Sequence, residues 1–195
     1  MLSELYANFF YHHYDLPVVK ARFFNSYGPG EVPGQYRNVI PNFMYWALNG
    51  KPLPFTGAEN ASRDFTYVGD IGDALLRAGF VDKAIGEEMN IASGVETRII
   101  DLAERVNELT GNRAGIITAP RRVWDTKNRL LASIDRANDI LGYRPQADFD
   151  AGLKETIEWF KSNWDHIRRD AEFPPGMSSA TRGVNLANLS PRNGS

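Results

Sequence analysis

The sequence predicts an α/β protein containing part of a doubly wound parallel sheet together with a smaller α/β part. Segments with apolar residues at helical spacing alternate with short β-branched and aromatic runs, a pattern of α/β folds rather than of bundles or sandwiches. Only Val18 to Phe24 and Glu88 to Ala92 have the character of central parallel strands. A sheet of those strands alone would leave apolar faces uncovered, so further strands from outside these 195 residues are expected.

The elements follow in order. Leu2, Leu5, Phe9 and His13 share one helical face, with Tyr6 and Phe10 beside it. No Ser, Thr, Asp or Asn precedes this run as a cap. Asp15-Leu16-Pro17 ends it, and the strand Val18 to Phe24 runs into a loop rich in turn residues, Asn25 to Gly34. Val39 to Leu48 reads as a helix packed on both sides, with Pro41 tolerated in its first turn. Strands are predicted at Leu53 to Phe55 and Asp64 to Val68, joined through Gly57 and Asn60, and a helix at Asp70 to Val81. After the strand Glu88 to Ala92, Thr97 is expected to cap a helix whose inner face carries Ile99, Ala103, Val106 and Leu109, closed by Gly111. Ile116 to Ala119 is a strand, and Ser133 is expected to cap a helix that Gly142 terminates. A last helix from about Asp150 aligns Leu153, Ile157, Phe160 and Trp164. The residues from 171 to Ser195 are small and polar without periodicity, the pattern of a disordered tail.

Composition narrows the function. A formal net charge of -2 gives no general attraction for nucleic acid or an anionic membrane. With no cysteine, disulfides, thiolate metal sites and cysteine nucleophiles are excluded. His12, His13 and His166 lack metal-ligand spacing, so no metal is expected. No apolar run approaches the ~20 residues of a bilayer span, and no signal peptide is recognisable, so the expectation is a cytoplasmic protein.

A nucleotide ligand needs a glycine-rich phosphate loop or cationic forks. Gly28, Gly30 and Gly34 miss the dinucleotide spacing by one residue, and the intervening prolines remove N–H donors, so this loop reads as a turn. Arginine is the stronger candidate, because guanidinium pairs two phosphate oxygens at once. Arg63 opens a strand, and Arg121 and Arg122 follow another, with Asp125 near enough to orient one of them. Surface ion pairs would account for the same residues. Asp70 and Asp73 sit near a helix start, where the dipole favours carboxylates. No catalytic set emerges, and Tyr-x-x-x-Lys does not occur.

The segment Ala21-Arg22-Phe23-Phe24-Asn25-Ser26-Tyr27-Gly28-Pro29-Gly30 resembles the Arg-x-x-Asn-x-Tyr-Gly-Pro signature of the extended short-chain dehydrogenase/reductase family. Gly57 followed by Arg63-Asp64-Phe65-Thr66-Tyr67-Val68 and Asp70 is similar to a second signature of that family. Arg122-Val123-Trp124-Asp125 and Leu141-Gly142-Tyr143-Arg144-Pro145 are similar to two more, in the same order, and the likeness covers roughly residues 1 to 165. The family includes NAD-dependent nucleotide-sugar 4-epimerases, 4,6-dehydratases and decarboxylases, which have a Rossmann-like fold.

The resemblance implies roles. Asn25 would hydrogen-bond the substrate, Phe24 would lie beside the nicotinamide of NAD, and Leu53 and Phe55 would border the nucleotide base. Arg63 and Arg122 would hold the diphosphate of a UDP- or dTDP-sugar, and Asp125 would be a further substrate-binding residue. Core packing would equally explain Phe24 and Phe55. Glu4 fits the glutamate that follows the family's catalytic lysine, so the glycine-rich unit, the tyrosine and the lysine are all absent from this sequence. Residues 1 to 170 are thus expected to be the carboxyl-terminal, substrate-holding portion of such an enzyme, inactive alone and not retaining NAD. Pairing of two copies through the first helix is implied by the family. A non-catalytic nucleotide-sugar-binding or assembly module is the alternative, and the apolar first helix favours the enzyme portion.

Overall fold

The computed structural model describes residues 2–34, 37–56, 60–119 and 127–171. In chain order its elements are α1 (Leu2–Tyr14), β1 (Lys20–Phe23), β2 (Ser26–Tyr27), α2 (Val39–Leu48), β3 (Leu53–Phe55), β4 (Ser62–Asp64), β5 (Thr66–Tyr67), α3 (Val68–Phe80), β6 (Glu88–Ile91), β7 (Glu96–Arg98), α4 (Ile99–Thr110), β8 (Ile116–Thr118), β9 (Arg129–Leu130), α5 (Asp135–Leu141), α6 (Phe149–Ser162) and α7 (Trp164–Asp170). The chain forms two compact units. The first takes Met1–Ser26, Asp64–Val95 and Leu131–Ala147; the second takes Tyr27–Arg63, Glu96–Leu130 and the chain from Asp148 onward.

In the first unit β1 and β6 pair in parallel, Lys20 opposite Glu88 and Phe23 opposite Ile91. These are the strands predicted as the central parallel pair, with frayed ends trimmed. α3 and α5 cover them through Ile71, Ala74, Ala78, Met89, Ile91, Ala137, Leu141 and Tyr143. The Tyr143 hydroxyl donates to the Ala92 carbonyl at 3.0 Å, so the largest side chain of this core is buried without losing its hydrogen bond.

The predicted strand Asp64 to Val68 is broken, because Val68 already begins α3, ahead of the expected Asp70. Asp70 lies in the first turn of α3, and its carboxylate also accepts from the N–H groups of Gln146 and Ala147 at 2.9 and 3.2 Å, tethering the segment after α5. Ile134, not Ser133, occupies the N-cap of α5. The Ser133 hydroxyl lies one residue further out, where it accepts from the Asp135 N–H at 3.4 Å and donates to the Asp135 carboxylate at 2.7 Å. Gly142 closes α5 in the left-handed conformation, φ 63°, as its position predicted.

The first helix is turned with its polar side inward. Arg22 and Lys20 of β1 donate to Glu4 and Asn8, each at 2.5 Å, and α1 contributes no buried residue. Leu2, Leu5 and Tyr6 are 70%, 61% and 61% exposed, so the apolar stripe read from the sequence faces away from the sheet. Gly86 is required where the chain passes under α1, because a Cβ there would lie 2.6 Å from the Tyr11 ring.

The second unit contains the parallel pair β3–β8, Leu53 opposite Ile116, and a three-stranded sheet in the order β7-β4-β9. α2, α4 and α6 pack against one another. α2 has the predicted bounds and is packed on nearly all sides, burying Ile40, Pro41, Phe43, Met44, Trp46 and Ala47. Its buried Asn42 is satisfied by Gly34, accepting from the glycine N–H at 2.9 Å and donating to its carbonyl at 3.0 Å.

Thr97 does not cap α4. It is drawn into β7, and the Ile99 N–H at the helix start donates to the Ala61 carbonyl at 2.9 Å, so main chain replaces the cap. The inner face is accordingly rotated to Ile100, Leu102, Ala103 and Val106, leaving Ile99 and Leu109 half-buried. Asp148 caps α6, accepting from the Ala151 N–H at 2.9 Å. Leu153, Ile157 and Phe160 are buried as predicted, but the helix breaks at Asn163 and Trp164 begins α7 against Tyr45, their rings 5.6 Å apart. No helix among the described residues is long and apolar enough to cross a membrane. The tail expected from residue 171 lies outside the described residues beyond Ala171.

Candidate substrate-binding site

In an open α/β sheet the ends of parallel strands present main-chain and side-chain groups to a ligand. β1 ends at Phe23, and the Phe24 N–H continues its ladder by donating to the Ile91 carbonyl at 3.2 Å. Phe24 and Asn25 follow directly, both half-buried. Asn25 is held at both ends: its Nδ2 donates to the Asp64 carbonyl at 3.2 Å, and its own carbonyl accepts from the Thr66 N–H at 3.2 Å.

Asp64 was not singled out in the sequence, and it is the most heavily bonded side chain at this strand end. It is fully buried. Its Oδ1 accepts from the Ser93 N–H at 2.9 Å and the Ser93 hydroxyl at 2.6 Å. Its Oδ2 accepts from the Gly94 N–H at 3.0 Å and the Ala132 N–H at 3.4 Å. An acid within a strand, beside an arginine, was the available signal.

The second unit carries the other described candidates. Leu53 and Phe55 are 0% and 2% exposed, so their side chains are core and β3 keeps its main chain in place between them. Phe55 also accepts from the Ala119 N–H at 2.8 Å through its carbonyl. Arg63 spreads its guanidinium over main chain: Nη1 donates to the carbonyls of Ser62 at 2.8 Å and Asn128 at 3.3 Å, and Nη2 to Lys127 at 3.2 Å. Arg121, Arg122 and Asp125 lie outside the described residues.

Next to Arg63, a neighbouring network was missed in the sequence. The Ser62 hydroxyl donates to Glu96 at 2.5 Å, and Arg129 Nε donates to both Glu96 oxygens at 2.9 Å. The Arg129 hydrogen bond, followed by that of Ser62, holds the Glu96 carboxyl below the usual carboxylate range. Among the described residues no cluster of histidines and carboxylates could hold a metal ion.

NAD needs an N–H cradle or cationic groups for its diphosphate and an apolar face for its nicotinamide. The end of β1 fits only the second requirement, through Phe24. Arg22, the cation nearest in sequence, is engaged by Glu4 and Glu88. The described residues therefore do not fit the whole cofactor.

Residues 1–156 match the family described as GDP-mannose 4,6 dehydratase. A UDP-N-acetyl-alpha-D-glucosaminuronate decarboxylase of Bacillus cytotoxicus is 35% identical over 152 residues, covering 75% of this chain and 47% of the relative. Among solved structures, the epimerase Mth375 of Methanothermobacter thermautotrophicus superposes with a TM-score of 0.87 at 54% identity, covering 88% of this chain and 51% of that one. The Bordetella bronchiseptica enzyme WbmF, solved with NAD+ and UDP, gives a TM-score of 0.75 at 39% identity over 85% of this chain and 52% of its own. Fold and matched residues together define a Rossmann-like α/β protein of the extended short-chain dehydrogenase/reductase class. The chain belongs to the NAD-dependent nucleotide-sugar epimerase/dehydratase family. It spans about half the length of the relatives it matches.

Proposed function

We propose that this chain supplies the sugar-nucleotide-holding portion of an NAD-dependent 4-epimerase, 4,6-dehydratase or decarboxylase acting on a UDP- or dTDP-sugar, and that it does not turn the sugar over by itself. The observation that carries this reading is Asn25, fixed at the end of the parallel strand β1 by Asp64 and Thr66. In this reading Asn25 contacts the substrate, Arg63 and Arg122 neutralise the diphosphate, Asp125 is a further substrate-binding residue, and Leu53 and Phe55 border the base. Phe24 would lie beside the nicotinamide end of NAD. The outward apolar face of α1 seats a second copy of the chain. The relative solved with UDP supports the substrate class.

Titration with UDP-glucose tests the reading. Arg63→Ala and Arg122→Ala should each weaken binding by about 1.5–3 kcal/mol, the scale of a charge-assisted hydrogen bond. Unchanged UDP-glucose affinity in both variants returns the arginines to a structural role. Conversion of a UDP-sugar by the purified chain would overturn the proposal that it does not turn the sugar over by itself.

A further inference from the structure

We propose that Asp64 is a positioning residue for Asn25, setting which way the asparagine amide faces the sugar nucleotide. The inference rests on the reading of Asn25 as a substrate contact. Four donors from two separate segments converge on the Asp64 carboxylate: the Ser93 N–H and hydroxyl on one oxygen, the Gly94 and Ala132 N–H groups on the other. Ser93 and Gly94 lie in the loop after β6, the strand paired with β1. The carboxylate therefore ties the residue to the neighbouring strand end, and its carbonyl receives Asn25 Nδ2 from β1. Because Nδ2 is the atom used, the asparagine amide has one orientation. Among the described residues no donor reaches Asn25 Oδ1, which is thereby left to accept from a hydroxyl or N–H of a ligand.

An amide cannot replace this carboxylate. Both Asp64 oxygens receive N–H donors, so in Asp64→Asn the new NH2 group meets an N–H on whichever side it points. The readouts are the Asn25 side-chain amide resonances in the 15N-labelled chain, identified by their loss in Asn25→Ala, and the affinity for UDP-glucose. In Asp64→Asn the amide resonances should move toward those of a solvent-exposed asparagine. UDP-glucose affinity should fall about tenfold, roughly the value of one hydrogen bond to a polar ligand, as it does in Asn25→Ala. The double variant should lose no more than either single variant. Unmoved Asn25 resonances, or losses that simply add, would overturn the proposal. If Asp64→Asn fails to fold, Ser93→Ala decides: it removes one donor and should shift the same resonances by less, and no shift overturns the proposal. If Asn25→Ala leaves UDP-glucose affinity unchanged, the substrate-contact reading fails, while the resonances still report whether Asp64 orients Asn25.

Discussion

Arg22 Nε donates to Glu4 Oε1 at 2.5 Å, and this pair fixes the face that α1 turns toward β1. Asn8 stands one turn further along the same face and accepts from Lys20, so polar groups dock the helix and its apolar residues point outward. A helix normally buries its apolar stripe. Here the arrangement is inverted, and the outward face is the surface on which a partner would gain most.

Glu4→Gln should loosen α1. The Arg22 hydrogen bond holds the Glu4 carboxyl below the usual carboxylate range. A depressed acid contributes stability above its unfolded pKa, and that contribution is lost as pH falls through its folded pKa. Hydrogen exchange of α1 amides should therefore be faster in Glu4→Gln than in the parent at neutral pH. The two should converge once the pH drops below the carboxylate range. A difference that persists in acid would mean the pair does not dock the helix.

The outward face gives a prediction about association. Leu2, Leu5, Tyr6 and Phe9 are all exposed, and contiguous apolar surface of this kind drives self-association. Leu5→Glu should shift the chain toward monomer in sedimentation and reduce binding of an apolar dye. A parent chain that is already a clean monomer would argue against a partner on α1.

What could be read from the sequence divides along physical lines. α2, the β1–β6 pair and the glycine ends of α4 and α5 rest on local signals: periodicity, β-branched runs and left-handed glycines. Misread features depend on non-local hydrogen bonds. Thr97 looks like a cap until the Ala61 carbonyl, distant in sequence, takes the N–H it would have capped. Asp64 is one residue of a recognisable motif, yet its donors come from residues 93, 94 and 132, and nothing local announces them. Arg63 was legible as a cation at a strand end, but its carbonyl partners at residues 127 and 128 were not.

Glu31 gives a second pH prediction, of opposite sign. Burial pushes its carboxyl above the usual range, against opposing hydrogen bonds from the Asn38 main chain and from Asn38 Nδ2, the latter at 3.0 Å. An acid with a raised folded pKa is most favourable below its unfolded pKa, and stability is lost as pH rises through the folded value. Glu31→Gln keeps an oxygen for Asn38 and removes the charge. It should raise the melting temperature at neutral pH and leave it unchanged well below pH ~4.3, the ordinary glutamate value. Destabilisation at neutral pH would mean that the ionised carboxylate has a stronger partner than Asn38.

Thr66 lies beside the Asn25 clamp, and its N–H is used there while its hydroxyl is not. Its side chain is fully buried, and Oγ1 has no hydrogen-bond partner among the described residues. Burying a hydroxyl without a partner costs about 1–3 kcal/mol in proteins. Valine has nearly the same shape and carries a methyl in place of the hydroxyl, so Thr66→Val removes that cost without opening a cavity. The β-branched side chain also suits the extended backbone of β5. The variant should be more stable by about 1 kcal/mol, a rise in melting temperature of roughly 2–4 °C for a chain of this size. Its main-chain hydrogen bond to Asn25 survives the substitution, so UDP-glucose affinity should stay at the parent value. A loss of stability would show that Oγ1 is satisfied in solution. A loss of UDP-glucose affinity at unchanged stability would instead bring the Thr66 hydroxyl into the site.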